Sequence, residues 1–302
     1  MANITVTEAA SAIPTIVAAK ALGHLKANTV LARIVNRDWD NEIAKYGQTV
    51  TINKRGALTV NDKAANTVVT LQTPSTTGIN VTLNKHKEVS FMLEDIAKML
   101  ARPDLLMGYM EDGVAVIGEQ IDSDIAGLYA GFAQTIDASG ANGPIGTADF
   151  IEAARLLNAA KAPLTNRWAV LHEDAHAEAE SIEQIINRDY KGDAAMQAVA
   201  NGWLGKYKTF NIVMDQKIRV AAGVCRNLFL HRDAAVLATR PMERVPDGFG
   251  VYQSTLDEDG VGLRVTLAYN PSHLAWQCTI DVLYGVAEMR DDHGVVVSTT
   301  EK

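Results

Sequence analysis

The stretch from Pro103 to Phe132, PDLLMGYMEDGVAVIGEQIDSDIAGLYAGF, constrains the fold more than any other part of the chain. Met110, Val114, Ile117, Ile121, Ile125, Leu128 and Phe132 recur at steps of four and three, which draws one apolar stripe along a single helix. Pro103 suits the first helical position, and Asp104 stands where the positive end of the helix dipole favours a carboxylate. Such a helix would run about 45 Å. Gly108, Gly113, Gly118, Gly127 and Gly131 interrupt it, each at about 1 kcal/mol relative to alanine. A helix that keeps them is expected to lie close against a sheet, so that packing offsets the loss.

A chain of 302 residues can fold as one large domain or two, with ample core. Lys and Arg number 28 against 36 Asp and Glu, a net charge of −8, so general affinity for nucleic acid is not expected. Cys225 and Cys278 lie far apart, match no metal or redox spacing, and fit a reducing compartment. No signal peptide is expected from MANITVTEAASAIP, and no apolar run approaches the ~20 residues of a membrane span.

The first dozen residues read as a loose arm, and Pro14 to Asp38 is helix-prone without a clean apolar face. His24 stands there without a partner. Val50 and Ile52 then alternate with Thr49, Thr51 and Asn53, a strand signal. Alternation returns at Ile79, Val81 and Leu83, passes Lys85 and Lys87, and continues through Val89 and Phe91. The polar text between the two strands buries little of itself, as expected of a hairpin that leaves the domain to do a job elsewhere. From residue 140 to 250 short helices and strands alternate, the pattern of a separate α/β unit. Thr147 caps one helix with Phe150, Ala154 and Leu157 inward, Trp168 to Leu171 is a strand, and a second helix turns Ala175, Ala179, Ile182 and Ile186 to one side. Leu263, Val265 and Leu267 alternate, as do Leu274, Trp276, Cys278, Ile280, Val282 and Tyr284. With Val295 to Val297 these are expected to form the sheet beneath the long helix.

His172-Glu173-Asp174-Ala175-His176 spells H-E-x-x-H, the spacing that lets two imidazoles on one helix face hold Zn²⁺ while the Glu acts on bound water. The first His, however, directly follows a strand, both histidines sit off the apolar face, and no third ligand is obvious: Glu180 and Glu183 could reach the same side but equally suit a solvated face. His172 and His176 are thus the only metal candidates, read as a chance match. No cofactor or catalytic residue is expected. Lys54, Arg55, Lys63, Lys85 and Lys87 line the hairpin without interleaved aromatics, which favours a protein-facing role over a nucleic-acid one. Gly140 to Gly143 lacks the Lys-Ser/Thr ending of a phosphate loop, and Asp257-Glu258-Asp259-Gly260 falls short of a calcium loop.

The order of these parts resembles the major capsid protein of tailed bacteriophages, an α+β fold named after phage Hong Kong 97. Arg37-Asp38 through Glu42-Ile43, Tyr46-Gly47 and Thr49 to Ile52 look like that family's entry into its extended loop, and Val81 to Lys87 with Val89 and Phe91 look like the return strand. The likeness is greatest to coat proteins of short-tailed phages. It implies an N-terminal arm over residues 1–46 and an extended β-hairpin loop over 47–91. It also implies a peripheral domain with the spine helix and β-sheet over 92–139 and 251–302, and a central axial α/β domain over 140–250. By the same resemblance the chain would assemble with itself into pentamers and hexamers of an icosahedral virion shell around double-stranded DNA, in the host cytoplasm. Its partners would be a separate scaffolding protein and a portal, and no membrane. Lys54, Arg55, Lys63, Lys85 and Lys87 become subunit-interface candidates. No lysine–asparagine crosslinking trio can be assigned. Two other readings stand beside this one: an encapsulin-like bacterial compartment shell, and a zinc-dependent hydrolase using His172, Glu173 and His176.

Overall fold

The computed structural model describes residues 30–39, 49–56, 58–94, 105–140, 142–186, 204–240, 242–243, 251–258 and 261–302. Pro103, Asp104, His24, most of the helix-prone segment before Asp38 and the tip of the acidic turn lie outside these residues.

In chain order, helix α1 (Leu31–Ile34) precedes strands β1 (Thr49–Arg55), β2 (Thr76–Thr82) and β3 (Lys85–Glu94). Helix α2 (Leu105–Ala126) follows and ends in a 3-10 turn over Gly127–Gly131. Then come β4 (Gln134–Asp137), α3 (Thr147–Ala159), β5 (Arg167–Leu171), α4 (Glu173–Glu180) and α5 (Glu183–Ile186). Strands β6 (Lys206–Tyr207), β7 (Phe210–Met214), β8 (Val220–Ala221), β9 (Val224–His231) and β10 (Ala235–Arg240) lead to β11 (Val251–Glu258), β12 (Val261–Asn270), β13 (Ala275–Glu288) and β14 (Gly294–Thr300).

The apolar stripe works as its spacing predicts. Met110, Val114, Ile117, Ile121 and Ile125 are all buried, and they share one core with Leu263, Val265, Leu267, Cys278, Ile280, Val282 and Tyr284. Those sheet residues lie at alternate positions of β12 and β13, which pair antiparallel with Leu263 opposite Val282 and Val265 opposite Ile280. The glycine expectation holds in part. A Cβ at Gly113 would stand 3.3 Å from both Ile280 and Val89, and one at Gly131 would run into the Glu288 carboxylate. Gly108 and Gly127 face open space, so close approach does not account for them. Leu274 is corrected too: it sits in the turn before β13 with φ 46° and is 64% exposed, and the alternation starts one pair later, at Trp276.

β13 is the longest strand and organises its sheet. One edge pairs with β12, and β11 lies beyond it. β10 follows β12 in tandem on that edge along residues 283–288, where Thr239 Oγ1 accepts Gly262 N–H at 3.3 Å, and β3 takes the opposite edge along residues 275–284.

The other large sheet runs β4-β14-β9-β5-β7-β6, with β8 also on β9. This corrects the expectation for Val295 to Val297: β14 pairs antiparallel with β9 and parallel with β4, in the middle sheet rather than in the sheet of β12 and β13. The physical reason is burial on both faces, which leaves uninterrupted apolar text and no alternation to indicate a partner. Val296, Leu228, Leu230 and Val170 point into the α2 core, while Val295, Val297, Phe229, Ala169 and Leu171 point into a second core under α3 and α4. Phe229 anchors that second core, edge-on to Phe150 and Phe210 at ring centroids 5.1 Å apart.

α3 starts as expected, although the cap is Gly146, whose N–H donates to Asp149 Oδ2 at 2.8 Å. Phe150, Ala153 and Leu157 are fully buried. The expected second helix breaks in two at Ser181, whose hydroxyl donates back to the Glu178 carbonyl at 2.6 Å. Ala175 and Ala179 face inward as read, and Ile185 fills the core beyond them. The side chain of Ile186 lies outside the described set.

Candidate functional site

β1 and β2 form a two-stranded hairpin that joins neither large sheet, in register from Thr49 opposite Thr82 to Arg55 opposite Thr76. Beyond Gly56, whose N–H donates to the Ser75 carbonyl at 2.8 Å, the chain continues as an extended tip. The tip holds its shape by side-chain to backbone bonds across the loop: Thr59 N–H donates to Gln72 Oε1 at 2.9 Å, and Gln72 Nε2 donates back to the Thr59 carbonyl at 2.5 Å. It also carries Val60 at 98% exposure, Leu71 at 92% and Val68 at 91%, with Leu58 and Val69 beside them. Apolar side chains that gather on an extended tip and stay largely exposed mark an interaction surface. Sequence reading weighed only the cations here and missed these residues. The signal available was the Leu-Thr-Val and Val-Val-Thr-Leu pieces inside otherwise polar text.

The root of the hairpin is firmly seated. Ile52, Val81 and Leu83 pack with Val236 and Ala238 in a small core of their own, bordered by Trp39, Leu283 and Met289. The chain before the hairpin is fastened as well. Asn36 bridges to Val236 on β10, and its side chain donates to Asp233 at 2.8 Å. Asp122 of α2, itself 3% exposed, accepts the N–H groups of Val30 and Ala32 at 2.8 and 3.1 Å and so caps α1. Burial first, then the charge of Asp215, pushes the Asp122 carboxyl up to about 7, against the pull of those backbone donors. Asp215 is also raised by burial, and its Oδ2 is buried without a partner.

The basic candidates divide between two settings. Lys63 at the tip donates only to the neighbouring Ala64 carbonyl, at 3.2 Å. Lys54 reaches Asp291 at 3.9 Å across a cavity at the hairpin root that Arg55 also lines, together with Lys161, Arg290 and His293 of the body. Lys85 and Lys87 lie in β3, within the five-stranded sheet. Lys85 is 3.0 Å from Asp124 of α2, which also accepts the Tyr284 hydroxyl at 2.5 Å. Its charge is therefore compensated inside the subunit. Lys87 is exposed.

The H-E-x-x-H residues are not brought together as a zinc pair. His172 ends β5 and caps α4, its Nδ1 accepting from Asp174 N–H at 3.4 Å. His176 lies one turn on, with Nδ1 3.4 Å from Glu180, and burial lowers its pKa. What gathers at His172 instead is Asp174 and Cys225. Burial first, then Asp174 and Glu301, pushes the Cys225 thiol up to about 11. Among the described residues no helix is long and apolar enough to cross a membrane.

No protein-family model matches the chain, and no curated protein matches it by sequence. Solved structures do. A structure of Mycobacterium phage Che8 aligns over 89% of this chain and 90% of its own, with a TM-score of 0.66 and 20% identity. The capsid of cyanophage P-SCSP1u aligns over 85% of each chain, with a TM-score of 0.63 and 13% identity. The SrpI encapsulin of Synechococcus elongatus aligns over 89% of each chain, with a TM-score of 0.54 and 13% identity. The chain has the Hong Kong 97-type α+β fold of tailed-phage capsids.

Proposed function

We propose that the protein is the major capsid subunit of a tailed phage, which assembles with itself into the icosahedral shell around double-stranded DNA. The observation that carries the reading is the hairpin: a firmly rooted arm whose apolar tip has no packing partner among the described residues, on a fold shared with phage capsids. A subunit built to lie against its neighbours needs such a reach, because the interface must form outside the subunit's own core. The role is structural rather than catalytic. The scaffolding protein and portal are proposed partners, assembly takes place in the host cytoplasm, and DNA is enclosed without sequence-specific contact, consistent with a net charge of −8.

The similarity to an encapsulin supports a second reading, a bacterial compartment shell that surrounds protein cargo. Negative-stain electron microscopy of the purified protein, alone and with a candidate scaffolding protein, tests both. Closed shells, or rings of five and six, are expected. A monodisperse monomer under both conditions sinks the shell reading. Co-purifying nucleic acid or co-purifying enzyme inside the shells separates phage from compartment.

A further inference from the structure

We infer that His172, Asp174 and Cys225 form a site for a borderline-soft divalent cation of the zinc class, distinct from the H-E-x-x-H pairing that the sequence spells. One ligand atom from each of the three lies within 4.8 Å of the other two. His172 Nδ1 and Asp174 Oδ2 are 3.5 Å apart, close to the separation of about 3.3 Å between two ligands on one tetrahedral zinc. Cys225 closes the triangle, and a zinc–sulfur bond of about 2.3 Å leaves it more slack than the other two. The Nδ1 lone pair is engaged only by a stretched contact from Asp174 N–H at 3.4 Å, which an ion would readily replace.

The residues around the triad hold it in place. His172 N–H donates to Asn227 Oδ1 at 2.8 Å, which fixes the end of β5 against the strand that carries Cys225. Asn227 is in turn held by donating to the Val297 carbonyl at 3.1 Å and to Thr299 Oγ1 at 2.9 Å. Asn227 is thus a positioning residue, one shell out from the ligands. His172 and Cys225 are buried while Asp174 is half-buried, so the site opens on the Asp174 side, where water can take the fourth position. Asp174 Oδ2 also accepts Lys302 N–H at 3.1 Å, and the Lys302 ammonium pairs with Glu178 rather than with the triad. Thiolate and imidazole donors select zinc or cadmium over magnesium and calcium. On binding, the Cys225 S–H bond breaks, sulfur bonds to the metal, and the proton leaves to solvent. His176 takes no part, since its Nδ1 faces Glu180.

The test uses the full chain, stripped with a chelator, then titrated with zinc by calorimetry and with cadmium by ultraviolet absorption. One ion per chain is expected, with a thiolate-to-cadmium charge-transfer band that Cys225→Ser removes. His172→Ala and Asp174→Asn should each weaken binding at least about tenfold, since even outer-shell losses do so. His176→Ala should bind as wild type does. His172 also caps a helix, so Cys225→Ser, checked for native circular dichroism, keeps the test decisive if His172→Ala fails to fold. A folded wild-type protein without the cadmium band overturns the inference. So does a Cys225→Ser variant that binds as tightly as wild type, or loss of binding through His176→Ala alone. Each readout is taken on the subunit and stands whether or not the chain forms shells.

Discussion

The Thr82 carbonyl lies directly over Gly285: a Cβ built at Gly285 would stand 2.2 Å from the Thr82 oxygen and 3.2 Å from Leu83 N. The end of β2 therefore crosses β13 backbone to backbone, at the place where the hairpin leaves the body. Gly285→Ala must lift that crossing. Overpacking of this kind typically costs about 1–3 kcal/mol, and here the displaced atoms are main chain. Chemical denaturation should show the loss, and limited proteolysis should cut the hairpin faster in the variant. An unchanged midpoint and cleavage rate would mean that the crossing relaxes freely.

Arg167 is fully buried, and among the described residues no carboxylate pairs with it. It donates instead to the carbonyls of Pro163 and Ala162 at 2.8 and 2.7 Å, and to Asn158 Oδ1 at 2.8 Å. It thereby satisfies the carbonyls that follow α3, and burial lowers its pKa. Arg167→Leu leaves those acceptors without donors in a dry site and should destabilise the fold by about 3 kcal/mol or more. Lys in its place should recover little, because one ammonium cannot span the same fork. Urea denaturation of both variants measures this.

Asp122 sits at about 7 in the folded chain against an ordinary value of 3.8. Between those values the native chain binds a proton that the unfolded chain does not, so this group lowers stability as pH rises, by up to about 1.4 kcal/mol per unit. Asp215→Asn removes the like charge and offers an amide where Oδ2 is now orphaned. It should stabilise the protein above pH 7 and flatten the fall from Asp122. Burial lowers the pKa of His231 and His293, which gives them the opposite slope below pH 6.5. The difference between variant and wild type isolates the carboxylate pair. Denaturation from pH 5 to 8 that shows parallel curves would disprove the coupling.

Val60, Val68 and Leu71 are each more than 90% exposed. Replacing all three with Asp should leave the subunit's melting within about 0.5 kcal/mol of wild type. Shell assembly, followed by light scattering, should fall sharply. Normal assembly of the triple variant would remove the tip from the interface.

The parts legible in the sequence are those with one wet face and one dry face. The stripe on α2 and the alternation along β12 and β13 state their partners through period alone, because water on the far side forces the polar residues to show. β14 was misplaced for the opposite reason: Val295, Val296 and Val297 are buried on both sides and carry no phase. The return strand read from Ile79 to Phe91 is two strands that serve different sheets, divided at Leu83 and Asn84, and nothing in the alternation marks that break. The histidine motif was read as a chance match, because four residues of spacing speak only of helix geometry. The third donor, Cys225, comes from a strand about fifty residues on and is adjacent only once β9 pairs with β5.

The long pairing of β3 along β13 has a mechanical meaning. A force drawn along β2 reaches Lys85, the first residue of β3, and meets a ladder of paired residues running from Lys85 opposite Tyr284 to Glu94 opposite Ala275. A load drawn along that ladder strains its hydrogen bonds together, as in a lap joint, instead of peeling them one at a time. On the opposite edge β10 grips residues 283–288 of the same strand, and Asn36 is tied to β10. The hairpin is therefore mounted as a tension member, able to carry strain from a neighbour into the longest strand of the subunit without coming loose at its root.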